Sequence, residues 1–122
     1  MDEPLRILIA DDNVDGADSL ALLLQAEGHT VLTAVDGRQA VEVAEASRPD
    51  VILMDIAMPR LDGLEATREI RSRPWGRGVR IIALTAYSHE AKRRQTLDAG
   101  MNDHLVKPVD PLALAVMLRS GK

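Results

Sequence analysis

Five short apolar runs constrain this chain more than any other feature: Leu5–Ala10, Thr30–Ala34, Val51–Met54, Val79–Leu84 and His104–Val106. Each is rich in Val, Ile or Leu, and most lack polar alternation, the pattern of strands covered on both faces. Between them lie stretches with helical periodicity and readable ends. Asn13 precedes Val14–Glu27, where Ala17, Leu20 and Leu24 repeat at helical spacing and Gly28 supplies a stop. Asp36 with Gln39, and Asp62 with Glu65, form capping-box patterns ahead of two further helices, with Pro49 beyond the first and Arg71 closing the second. Ser88 opens a charged helix that stops at Gly100, and Asp110-Pro111 is an N-cap followed by proline at the first helical position.

Strand and helix alternate about five times, which predicts an α/β fold: a parallel sheet with helices on both faces, joined by right-handed crossovers. The 122 residues amount to one domain, able to bury roughly two-thirds of its unfolded surface. With no Phe, one Trp and one Tyr, its core must be aliphatic. The absence of cysteine excludes disulfides and thiol chemistry and fits a reducing, cytoplasmic setting. No apolar run reaches membrane-spanning length, and residues 1–10 lack a signal-peptide layout. A net charge of −4 argues against a nucleic-acid surface as the main function.

In doubly wound folds the functional groups lie beyond the carboxyl ends of the strands. There the sequence places Asp11 and Asp12 after the first strand, Asp55 after the third, Thr85 after the fourth and Lys107 after the fifth. Two carboxylates about 4 Å apart repel by roughly 4 kcal/mol at an effective dielectric of about 20. A hard cation relieves that repulsion, and an oxygen-only site suits Mg²⁺, with Mn²⁺ as the alternative. One carboxylate can then act as nucleophile toward a phosphoryl donor, while a lysine and a threonine hydroxyl hold phosphoryl oxygens. This inventory does not itself say which Asp accepts the group. Each residue alone has a plainer reading, as a helix cap, a turn residue or a surface lysine; their fall at the ends of four strands sets that aside.

The segments Ile9-Ala10-Asp11-Asp12-Asn13, Asp55-Ile56-Ala57-Met58-Pro59-Arg60-Leu61-Asp62-Gly63, Leu84-Thr85-Ala86 and Lys107-Pro108 together resemble the response-regulator receiver domain, and the likeness covers nearly the whole chain. The resemblance implies a flavodoxin-like five-stranded sheet in the order 2-1-3-4-5. It implies Asp55 as phosphoacceptor, with Asp12, Asp55 and the Ala57 carbonyl binding Mg²⁺ directly and Asp11 acting through a metal-bound water. Thr85 and Lys107 would contact the phosphoryl group, and the Lys107–Pro108 peptide would be cis. A histidine kinase or histidine phosphotransfer domain would be the donor. The expected product is a phosphorylation switch without turnover of an external substrate, in a single receiver domain over 1–122 without an output domain, standing alone or belonging to a hybrid kinase.

Other classes are weighed against this. A flavin carrier needs a hydroxyl- and glycine-rich loop where this chain has Asp-Asp-Asn, and an aspartate phosphatase needs a D-x-D motif on the first strand. An unphosphorylated receiver-like interaction module would lose one of the site residues, and all five are present. Many receivers carry an aromatic three positions before the lysine; here it is His104, read equally as a moving switch or as a half-buried strand-end residue. Tyr87 and Ala57 flank the site and are expected to influence the phosphoryl lifetime. His29 and His89 are isolated. The last helix, Pro111–Leu118, lacks polar side chains, and is expected to turn apolar residues outward around Ala113 and Met117. In receivers the fourth helix, fifth strand and fifth helix form the output face, so a partner or dimer contact is expected there. The arginines at 71, 73, 77 and 80 around Trp75 read as a solvated loop, and Lys92-Arg93-Arg94 as the outer face of a helix.

Overall fold

The computed structural model describes residues 4–86 and 90–120. Five parallel strands, β1 (Arg6–Ala10), β2 (Thr30–Ala34), β3 (Val51–Asp55), β4 (Arg80–Thr85) and β5 (Asp103–Val106), form one sheet in the order β2-β1-β3-β4-β5. The helices are α1 (Val14–Ala26), α2 (Gly37–Ser47), α3 (Gly63–Arg71), α4 (Glu90–Ala99) and α5 (Pro111–Ser120). The expected fold class and strand order are both observed. The start expected for the fourth helix at Ser88 lies outside the described residues, as do Tyr87 and His89.

Alternate strand residues feed two cores, because successive side chains point to opposite sides of a sheet. Leu8, Ala10, Ile52, Met54, Ile81 and Ala83 meet α2 and α3 on one side. Ile7, Ile9, Leu53, Ile82 and Leu84 meet Ala17, Ala21 and Leu24 of α1 and Leu114 and Leu118 of α5 on the other. In β1, β3 and β4 neither side is left to solvent beyond the first residue, so those strands carry no polar alternation. Full burial of each large aliphatic side chain stabilises by about 1.5–3 kcal/mol.

The helix ends follow the sequence with one amendment. Asn13 caps α1 through the amide of Gly16, and Asp62 with Glu65 forms a reciprocal box at α3. At α2, Asp36 accepts from the Gln39 amide, but the Gln39 side chain reaches one residue further back, to the amide of Val35 at 2.7 Å. Gly28 closes α1 at φ 99°, in the left-handed region where glycine meets no Cβ penalty.

Two expectations about surfaces are corrected. Met117 leans on the core beneath α5, and the outward apolar residues are Leu112 and Val116, 77% and 63% exposed, with Ala113 beside them. Counting at about 100° per residue puts Met117 about 60° from Leu114 and about 140° from Leu112, on the flank of the core stripe. Three of the four arginines around Trp75 are not part of a solvated loop, while Arg77 is exposed as expected. Arg71 is enclosed by carbonyl oxygens, Arg73 pairs with Glu45 and Glu69, and Arg80 pairs with Asp103 at 2.9 Å.

Candidate functional site

Each site residue sits where a strand gives way to the following loop. The β1 ladder continues one step through the Asp11 amide, which donates to the Ala34 carbonyl at 2.9 Å. That bond fixes Asp11 at the sheet edge, while Asp12, one residue on, is exposed. Asp55 is the last residue of β3, in the centre of the sheet and paired with Leu84. Thr85 ends β4 and is buried; its carbonyl accepts from the Lys107 amide at 2.8 Å, which carries the lysine back to the sheet edge. The Lys107–Pro108 peptide is cis.

The side chains converge. Ligand oxygens of Asp11, Asp12 and Asp55 all lie within 4.8 Å of one another. The Lys107 ammonium donates to Asp55 Oδ2 at 2.7 Å and stands 3.0 Å from Asp11 Oδ2. The second oxygens are held by backbone: Asp55 Oδ1 accepts from the Ala57 amide at 3.0 Å, and Asp11 Oδ1 from the Asn13 amide at 2.9 Å. Asp11 and Asp55 are 6% and 5% exposed. Burial pushes the Asp55 carboxyl up, and the neighbouring Asp11 adds to this, against the opposing pull of Lys107 and the Ala57 amide. Burial works against the Lys107 charge, but its bonds to Asp55 and Asp11 outweigh that and hold it above the ordinary lysine value.

One ammonium therefore pairs with two carboxylates while a third, Asp12, lies beside them, leaving negative charge in excess. Three hard oxygen donors close to one another fit a small divalent cation, and among the described residues no sulfur or nitrogen ligand joins them. Clustered carboxylates with a lysine reaching the same oxygens are the groups that phosphoryl acceptance calls for.

Fold and site together define a class, and the sequence comparison agrees. Residues 7–119 match the response regulator receiver domain, and the chain belongs to that family. Its members are signalling modules of two-component systems, linked to histidine kinases, and not enzymes turning over an external substrate. Response regulator MprA of Mycolicibacterium vanbaalenii is 43% identical over 105 residues, covering 86% of this chain and 45% of that protein. The receiver domain of a sensor histidine kinase from Pseudomonas aeruginosa, with a magnesium ion coordinated in its active site cleft, is 44% identical. It aligns over 95% of each chain with a TM-score of 0.87. Chemotaxis protein CheY4 of Vibrio cholerae is 31% identical, covers 95% of this chain and 97% of its own, and has a TM-score of 0.90.

Sequence reasoning named every strand-end residue gathered here, but missed contacts made by elements distant in sequence. His104 is half-buried, and its Nδ1 lies 2.7 Å from Nη1 of Arg93 on α4. A guanidinium only donates, which assigns the imidazole proton to Nε2. Asp36 and Gly37 lean on the loop between β3 and α3. The Asp-Gly pair reads in sequence only as a helix start, with no signal of that second contact.

Proposed function

We propose that this receiver domain, spanning 1–122, accepts a phosphoryl group from a phosphohistidine on Asp55. A histidine kinase or a histidine phosphotransfer domain is the donor. One observation carries the reading: the buried Asp55 carboxylate stands between two further carboxylates and an ammonium 2.7 Å away, at the carboxyl end of the central strand. An Asp55 oxygen forms the new O–P bond as the N–P bond of the donor breaks, and the leaving imidazole keeps the bonding electrons and takes up a proton. Lys107, already poised on Asp55, pairs with the transferred group, and the Thr85 hydroxyl donates to a second oxygen. Asp12, Asp55 and the Ala57 carbonyl would hold Mg²⁺, or Mn²⁺ in its stead, with Asp11 supporting it through a water. The cation, when bound, neutralises charge developing on the phosphoryl oxygens.

Phosphorylation adds about 1.5–2 negative charges in place of one carboxylate. Thr85 and Lys107, at the ends of β4 and β5, carry that change toward α4, β5 and α5. Leu97, Val106, Leu112 and Val116 are exposed on those three elements and form the proposed output or dimer contact. No helix among the described residues is long and apolar enough to cross a membrane, and we place the domain in the cytoplasm with its kinase.

The test is intact-protein mass after incubation with Mg²⁺ and acetyl phosphate, beside Asp55→Asn. One added phosphoryl group on the wild type alone, removed by hydroxylamine, is the expected result. No addition, even with phosphohistidine donors present, would leave a receiver fold kept for protein contacts.

A further inference from the structure

We propose that the β2–α2 turn, Asp36-Gly37, is a positioning element for the loop between β3 and α3, setting the Ala57 carbonyl in place before any cation binds. The inference rests on the reading of the Asp55 site given above, and deepens it. The loop runs from Asp55 to Gly63 and is held close at both ends. A Cβ on Gly63 would overlap the Asp55 carbonyl oxygen and stand 2.7 Å from Ile56 Cα. The Gly63 amide donates to the Ile56 carbonyl at 3.1 Å. A Cβ on Gly37 would overlap the Leu61 carbonyl oxygen and lie 2.6 Å from its carbon and 2.9 Å from Leu61 Cβ. Both obstacles are backbone, which cannot rotate aside as a side chain can.

Between these two anchors the loop is strained. Arg60 has φ 71°, a region that non-glycine residues rarely occupy, and the Leu61 amide donates to the Pro59 carbonyl at 2.8 Å. This is the three-residue γ-turn with a positive central φ, the strained form. Such geometry persists only where surroundings impose it. Asp36, 8% exposed, contributes an ion pair to Arg60 at 3.7 Å, but Arg60 is largely in water, where such a pair adds little. Steric contact at Gly37 is therefore the main constraint. Ala57 lies inside the clamped span, its amide already bonded to Asp55.

Three measurements decide the matter: Mg²⁺ affinity by calorimetry, amide exchange at Leu61 and Gly63 without divalent cation, and thermal melting. In the wild type both amides are expected to be protected before Mg²⁺ is added; exchange at open-chain rates would overturn the proposal without any variant. In Gly37→Ala, Mg²⁺ affinity is expected to fall about tenfold, the scale for losing an outer support of a metal ligand. Both amides should exchange faster, while phosphorylation at saturating Mg²⁺ stays near wild type. A folded Gly37→Ala with wild-type Mg²⁺ affinity overturns the proposal. Arg60→Gly, which relieves the strained φ and leaves the clamp, should keep Mg²⁺ affinity within about twofold; an equal or larger loss than in Gly37→Ala would move the constraint to Arg60 and overturn the proposal. A wild type that binds no Mg²⁺ is a failure of the site reading itself, whereas one that binds it with unprotected amides defeats the clamp alone.

Discussion

The two ends of this sheet treat buried charge in opposite ways. At the carboxyl end, Asp11 and Asp55 share the Lys107 ammonium with exposed Asp12 beside them, which leaves an excess of negative charge. At the amino end of β4 and β5, Arg71 has no carboxylate within bonding distance among the described residues and directs its donors to neutral oxygens. Its Nη1 donates to the carbonyls of Gly76 and Val79, each at 2.6 Å, its Nε to Gly100 at 2.9 Å and its Nη2 to Asn102 Oδ1 at 2.9 Å. Asn102 Oδ1 also accepts from the Ile81 amide, so this one cation joins α3, the start of β4 and the turn into β5. Burial lowers the Arg71 pKa, yet a guanidinium stays charged. A cation enclosed by fixed carbonyls can only be structural, whereas carboxylates short of positive charge are poised to take a ligand.

The largest expected effect lies at the carboxyl end: Asp55→Asn abolishes phosphoryl uptake, read as intact mass, and any residual uptake would mean that another carboxylate is the acceptor. Next come the two cations, compared by urea denaturation at neutral pH. Arg71→Ala strands several buried acceptors and should cost about 3 kcal/mol, independent of Mg²⁺. Lys107→Ala should cost about 1–3 kcal/mol without divalent cation, and adding Mg²⁺ should restore most of it. If Mg²⁺ rescued both variants or neither, the distinction between the two ends would fail.

A smaller effect follows from the raised Asp55 pKa. Its folded value exceeds the unfolded one, so holding the charge in the folded state disfavours folding above the ordinary carboxylate pKa of about 3.9. Metal-free Asp55→Asn should therefore be more stable than wild type at neutral pH. That advantage should shrink as pH falls through the carboxylate range, and vanish once Asp55 is protonated in both states. Lys107 stays charged throughout this window, since its own pKa is raised. An advantage that grew on acidification would reverse the sign and refute the account. The smallest effect concerns α5: Leu112→Ser with Val116→Ser should change stability by no more than about 0.5 kcal/mol each. The same pair should weaken phosphorylation-dependent association, measured by light scattering.

The strands were legible because burial on both faces leaves little choice but aliphatic side chains, a signal confined to five or six consecutive residues. Asp11, Asp12, Asp55, Thr85 and Lys107 were legible for a related reason: each lies within two residues of the end of such a run. Arg71 and Arg80 were misread because a buried arginine looks no different in sequence from a solvated one, and what surrounds it comes from Gly76, Val79 and Gly100 or from Asp103. The outward face of α5 was placed at Met117 because a helix without polar side chains gives no phase; the positions of Leu114 and Leu118 on the core supply it.

By itself the sequence determined the strand–helix alternation, the caps that start most helices and the residues at the strand ends, since all of these depend on periodicity and near neighbours. The tertiary structure decided the rest: that Lys107 reaches two carboxylates at once, that Arg71 is enclosed, and that Gly37 touches Leu61. Those contacts join residues that only the packing of separate elements brings within a few ångströms, and no local preference of the chain encodes them.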